Sequence, residues 1–267
     1  MKDRYLINSI LRACKILKSF SREKETFKIS ELAQQLHLDR STTYRILLSL
    51  EKSGLVEKDE KNGTYSLGVG AFEVGSAYLR RADFVQISRP IMSDLALKVQ
   101  ETVHLAILSG TEILYLDKID SPRTLGVISK IGQRAPVYCT GLGKVLLAYL
   151  PEDERSKIID GIRFTPFTKN TITSKKRFIE ELQGVRRRGY AQDRREHEED
   201  VECVAAPIRN DLGHVIAALS ISGPTIRLSK KIVQEILRKK VVETALKISH
   251  KMGFREGGGG TAESWPA

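Results

Sequence analysis

The sequence predicts an α+β protein in two parts, and three observations carry that expectation. Three short segments with helical apolar spacing, ending near Gly54, are followed by two strand-like runs around Asn62-Gly63. From about residue 83 the texture changes, and apolar runs come in neighbouring pairs instead of alternating strictly with helices, which points to a largely antiparallel sheet. The basic excess is denser at the N-terminal end: 15 basic against 10 acidic residues through Arg81, within a chain of 44 against 33 and net charge +11. A basic balance of that kind favours a polyanionic partner.

Taken in order, "NSILRACKILKSF" sets Ile10, Ala13, Leu17 and Phe20 at helical spacing, with Asn8 or Ser9 placed to cap. After the polar break "SREKET", "SELAQQL" reads as a short second helix capped by Ser30. "HLD" turns the chain into "RSTTYRILLSLEKSG", where Asp39 caps, Gly54 terminates, and Thr43, Ile46, Leu47 and Leu50 share the inner face. The runs flanking "DEKNG" form a hairpin, and three helices followed by a hairpin is the order of a winged helix-turn-helix. Residues 69–82 read as a connecting helix despite two glycines.

Beyond it, "FVQISRPIMSDLALKVQ" reads as an amphipathic helix interrupted at Pro90. "TVHLAILS", "EILYLDKI" and "TLGVIS" read as strands, and "TGLGKVLLAYL" as a glycine-opened helix ending at Pro151. "SKKRFIEELQGVRRRGY" is helical to Gly189; "VECVAAPIRN" and "HVIAALSISG" are strands around "DLG". Residues 229–252 form a terminal helix, and 256–267, glycine-rich, are expected to be disordered.

Three cysteines without a CxxC pair suggest reduced thiols and no thiolate metal cluster. With no long uncharged apolar run and no leader-like start, the chain reads as cytoplasmic, with no membrane partner.

The outer face of the third helix gives the first functional expectation. Arg40 and Arg45 have the fork geometry for guanine edges or phosphates; Ser41, Thr42 and Tyr44 supply phosphate hydrogen bonds; Lys58 and Lys61 sit on the wing. A helix in the major groove of double-stranded DNA meets all of these.

"ISELAQQLHLDRSTTYRILLSLEKSGLVEKDEKNGTYSLG", "ETVHLAIL", "LDKID", "GQRAPVYCTGLGKVLLAYLP", "FTPFTKNTITS", "RRRGYAQDRREHEEDVECVAAPIRN" and "AALSISGP" follow one another in an order that resembles the IclR family of bacterial transcriptional regulators, over roughly residues 5–253. The resemblance implies a winged helix-turn-helix (1–68), a linker helix (69–82) and a GAF-like or profilin-like effector-binding domain (83–255), working as a homodimer or dimer of dimers on a pseudo-palindromic operator. It also implies a small organic acid as effector, no cofactor, no metal and no catalysis, with repression ahead of activation. Carried over residue by residue, the effector positions are Thr124, Val127, Ala135, Gly141, Leu142, Asp193, Val201, Cys203, Ser220 and Ser222, with the backbone of Gly141 and Leu142 receiving a carboxylate. Strand periodicity independently puts Ala218, Ser220 and Ser222 on one face.

Four competing readings are weaker. "CTGLGK" lacks the phosphate-loop spacing, and Val145 stands where a hydroxyl is needed. Asp193, His197 and Cys203 could compose a thiol triad, so the runner-up is a cytosolic thiol hydrolase on Cys203 or Cys139 with an accessory DNA-binding domain. An architectural DNA-binding protein would instead have a filled second core. The "KKR" and "RRR" runs lack interleaved aromatics and read as solvated helix faces.

Overall fold

The computed structural model describes residues 6–20, 24–81, 83–228 and 233–255, which divide into two compact units at Ala82/Asp83. The expected disorder of 256–267 lies outside the described residues.

In the first unit, α1 (Asn8–Phe20), α2 (Ile29–Leu36) and α3 (Arg40–Lys52) precede an antiparallel hairpin of β1 (Val56–Asp59) and β2 (Thr64–Leu67), then α4 (Val69–Arg81). Ile16, Phe20, Leu32, Leu47, Leu50, Val56 and Tyr65 make its core together with Phe27, whose ring meets Phe20 edge-on at 5.4 Å. The start of α2 differs from expectation. The helix begins at Ile29, so Ser30 lies inside it; the cap is Lys28, whose N–H donates to Glu31 Oε2 at 2.7 Å. A glutamate three residues past the cap position satisfies that donor without a hydroxyl at the cap. The hairpin loop spans residues 60–63. Asp59 accepts there from Lys61 N–H at 2.9 Å and Asn62 Nδ2 at 2.6 Å, and Gly63 takes the left-handed φ of +63° that closes it.

The second unit is built on one six-stranded sheet in the order β5-β4-β3-β8-β7-β6, with every neighbour antiparallel. Its strands are β3 (Thr102–Ser109), β4 (Glu112–Ile119), β5 (Arg134–Pro136), β6 (Ala191–Arg194), β7 (Val201–Arg209) and β8 (Val215–Pro224). Alternation along the central strands separates two faces. One carries Ala106, Ala205 and Ala218, and packs against α6 (Gly141–Ala148) and α8 (Lys175–Arg188), with α7 (Glu152–Asp160) alongside. The other carries Val103, Leu105, Leu219 and Ile221, on the side of α5 (Asp83–Val99) and the terminal helix α9 (Arg238–Lys251). A π-helical turn, Val233–Leu237, leads into α9, so the expected terminal helix is not uniformly α, and residues 229–232 of it lie outside the described residues.

Two further expectations are corrected. Pro90 does not interrupt α5, which runs continuously through it. Proline removes a single helical hydrogen bond, and Val85, Met92, Leu95 and Ala96 are buried on both sides of it, so packing holds the helix together. "TLGVIS" is not a strand. The outer edge of β4 is already paired by β5, and the carbonyls of the segment go to side chains: Val127 and Ser129 accept from Lys118 Nζ at 3.2 and 2.9 Å, Leu125 from Arg227 at 2.7 Å.

Candidate recognition helix and buried cavity

Asp39 opens α3 by accepting from Thr42 N–H at 2.7 Å and from the Ser41 hydroxyl at 2.6 Å. The Ser41 hydroxyl and Thr42 N–H hold its carboxyl well below the usual carboxylate range, so the cap is charged at the positive end of the helix dipole. Thr43, Leu47 and Leu50 are buried, which commits that side to the core. Arg40, Ser41, Tyr44 and Arg45 are exposed together on the opposite side, Thr42 is half-buried between them, and Tyr44 keeps 48% of its surface open. On the hairpin Lys58 pairs with Glu60 at 2.7 Å, while Lys61 projects from the loop tip.

In the second unit a cavity of about 50 Å³ lies against the sheet face under α6. Of the expected positions it is lined by Val127, Ala135, Leu142, Asp193, Val201, Cys203 and Ser222. Ser220 is fully buried one step behind Ser222, their hydroxyls 3.5 Å apart. Gly141 packs onto Cys203, where an added Cβ would stand 3.0 Å from the sulfur. Thr124 is exposed and does not line the cavity.

The first turn of α6 shapes the wall. Thr140 caps it by accepting from Gly143 N–H at 3.2 Å. A Cβ on Gly143 would fall 2.3 Å from Val137 Cα, so glycine alone lets the helix start this close to the preceding turn. With the third N–H taken by the cap and that of Gly141 turned toward the Cys203 sulfur, the N–H of Leu142 remains at the positive end of the helix.

Behind Asp193 stands a buried ion pair, Lys144 Nζ to Glu196 Oε1 at 2.5 Å, with Lys144 also donating to Gln192 O at 2.8 Å. Glu196 N–H donates to Asp193 at 2.7 Å. One cation thus serves two buried carboxylates. Burial pushes Asp193 up to about 7 against the opposing pull of that N–H and of Lys144. Burial likewise pushes the Cys203 thiol up to about 12, and the Cys139 thiol upward. A raised thiol pKa is the reverse of what a cysteine nucleophile needs.

Sequence reasoning missed His104, Tyr115, Ser129 and Thr140, which also line the cavity, as does His197, weighed in the sequence only as a member of a thiol triad. Tyr115 arrives there through a β-bulge. The register of β3 and β4 slips between Leu105 and Ala106, so that Ala106 faces Tyr115 and a side chain due for the other face turns inward.

Residues 76–250 match the family described as bacterial transcriptional regulator IclR C-terminal, and residues 9–60 match the IclR helix-turn-helix domain. The chain belongs to the IclR family. It is a DNA-binding transcriptional regulator. Its relatives include the HTH-type transcriptional regulator KdgR of Escherichia coli K12, 37% identical over 94% of both chains. The HTH-type transcriptional repressor AllR of the same strain is 32% identical over 91% of this chain and 90% of its own. Among solved structures, an IclR homolog from Microbacterium hydrocarbonoxydans complexed with 4-hydroxybenzoate superposes with a TM-score of 0.79 at 26% identity, covering 91% of this chain and 98% of the other. IclR proteins are transcriptional regulators, a class that is not enzymatic, and the thiol-hydrolase reading finds no support. Among the described residues no helix is long and apolar enough to cross a membrane.

Proposed function

We propose that this IclR-family chain is a cytoplasmic, non-enzymatic repressor whose operator affinity is set by a small organic acid held in the cavity under α6. One observation carries the reading: Leu142 at the start of α6, Ser222, Cys203 and the buried Asp193 converge on one small cavity. The helix N-terminus and the serine hydroxyls supply donors for a carboxylate, and Asp193 supplies an acceptor or, once protonated, a further donor for a neighbouring oxygen. The structure of a relative in complex with 4-hydroxybenzoate supports an acid ligand. Volume favours short acids, because about 50 Å³ is well below the size of ordinary drug-like sites.

On the DNA side, Arg40 and Arg45 contact base edges and phosphates in the major groove, with Ser41, Thr42 and Tyr44 at the phosphates and Lys58 and Lys61 on the flanking backbone. One such helix reads few base pairs, so the chain acts as a homodimer or dimer of dimers on a pseudo-palindrome. A thermal-shift screen of the purified protein against acetate, lactate, pyruvate and 4-hydroxybenzoate, each beside its amide, tests the acid reading. A ligand at a hundred times its Kd stabilises by about 2.7 kcal/mol. Stabilisation by acids but not amides is expected; equal response to both, or to neither, contradicts it.

A further inference from the structure

His104 sits at the junction of three elements around the cavity. It is buried on β3, paired in register with Ser220 of β8 and Lys118 of β4. Its Nε2 lies 2.8 Å from the Ser129 hydroxyl, on the segment crossing the cavity mouth. Its Nδ1 lies 3.5 Å from Ser220 Oγ and 3.4 Å from Ser222 Oγ, long contacts of the kind one shared donor makes to two acceptors. Tyr115 packs on the ring, with centroids 5.0 Å apart.

The position of the single ring proton decides what the serines offer. With the proton on Nε2, Nδ1 is an acceptor; a serine hydroxyl must donate to it and turns lone pairs toward the cavity, which repel a carboxylate. With the proton on Nδ1, the ring donates to the serine oxygens and leaves both hydroxyl protons for the ligand, with the Cys203 sulfur, which also touches both serines, as the competing acceptor. We infer that His104 is the positioning residue of the acid site: as the neutral Nδ1–H tautomer it donates to Ser220 and Ser222 and aims their protons at the ligand carboxylate, while Nε2 accepts from Ser129 and ties the mouth segment to the same relay.

The surroundings select this form. Lys118 Nζ, ion-paired with Asp120 at 2.6 Å, grips the carbonyls of Val127 and Ser129 on the Ser129 side of the ring, and because its effect on the ring exceeds that of Asp120 it favours a lone pair at Nε2 over an N–H. Burial first, and Lys118 next, hold His104 down to about 3 against the weaker opposing pull of Asp120, so the ring stays neutral throughout the physiological range. Tyr115, Lys118 and Asp120 are the titratable groups facing it from β4 and the turn that follows; β8 presents only the two serines.

The inference rests on the acid reading of the cavity, and two arms of one NMR experiment on the full chain separate their failures. Imidazole nitrogen shifts of ¹⁵N-histidine protein, without added acid, are expected to show His104 protonated at Nδ1, bare at Nε2 and unchanged between pH 5 and 8. A proton on Nε2, or titration in that range, overturns the inference. Acetate and acetamide are then titrated into wild type, His104→Asn and His104→Gln. Asparagine places an amide donor near Nδ1, whereas glutamine places it near Nε2. Acetate affinity is expected to fall less than about threefold in His104→Asn and at least tenfold in His104→Gln. Equal losses in the two variants reduce His104 to packing and overturn the inference even if wild type binds acetate. Failure of wild type to bind acetate, and of lactate, pyruvate and 4-hydroxybenzoate to bind in its place, with the Nδ1 tautomer present, instead overturns the acid reading, and the relay with it.

Discussion

Replacing Lys144 by methionine removes the one cation serving the buried carboxylates behind the cavity while keeping the length and most of the volume of the side chain. The lysine side chain is 1% exposed and its partner Glu196 5%, so neither charge recovers hydration when the other is removed. Among the described residues Glu196 Oε2 has no hydrogen-bond partner, which leaves the carboxylate dependent on Lys144 and on a 3.3 Å contact from Arg194 N–H. Breaking a buried pair from one side costs about 3 to 5 kcal/mol, because an uncompensated charge stays inside. For a unit the size of residues 83–267, where 1 kcal/mol moves Tm by about 2 to 4 °C, the loss is roughly 6 to 20 °C. The double variant Lys144→Met/Glu196→Met removes both desolvation costs and should recover most of it, since apolar replacement of a buried pair is often neutral. Differential scanning calorimetry on the four proteins of the cycle measures this. Losses that simply add, or a single-variant loss below about 1 kcal/mol, would refute the argument that the pair is tightly coupled and dry.

Three other outcomes follow from the same geometry. Arg45→Ala should weaken operator binding by about 1 to 3 kcal/mol in fluorescence anisotropy at fixed salt with Tm unchanged, since Arg45 is exposed beside a buried face; unchanged affinity removes it from the interface. Ser222→Ala should weaken binding of whichever acid the screen identifies roughly 10- to 150-fold by calorimetry, the worth of a hydrogen bond to a charged group, and leave acid-free operator affinity alone. Asp193, raised from 3.8 to about 7, keeps in the folded state a proton that the unfolded chain releases, so its contribution to stability is present below pH 4 and lost as pH rises toward 7. The stability of Asp193→Asn relative to wild type should therefore grow through that window, and a flat difference between the two denaturation profiles would count against a buried, proton-holding Asp193.

The first unit was largely legible because its signals are local. Asp39 at the cap, the spacing of Thr43, Leu47 and Leu50, and the Asn62-Gly63 turn each act within a few residues, and all are found in place. The start of α2 was misplaced because two local devices competed, Ser30 as cap and Glu31 as third-position acceptor, and the glutamate won. In the second unit the paired strands were readable from alternation, but the cavity was only half so. Val127, Leu142, Asp193, Cys203 and Ser222 came from resemblance to a family pattern, whereas His104 and Tyr115 depend on register across β3, β4 and β8 and on a bulge that no periodicity announces. Thr124 was carried over by the same pattern and is exposed here. Lys144, weighed in the sequence only as a candidate phosphate-loop lysine, is a buried member of an ion pair because Glu196, 52 residues away, meets it.

The central claim is that a small acid in the cavity under α6 sets the affinity of α3 for DNA. Operator fragments selected from genomic DNA by the protein itself, titrated by anisotropy at fixed salt across increasing concentrations of the acid that the screen identifies, test it directly. Linkage requires the acid to change operator Kd by some factor and the operator to change acid Kd by that same factor, typically 5- to 150-fold. The account predicts equal factors in both directions in wild type, with the acid concentration needed for half the effect rising at least tenfold in Ser222→Ala. An operator Kd that stays constant while the acid saturates the protein would contradict it.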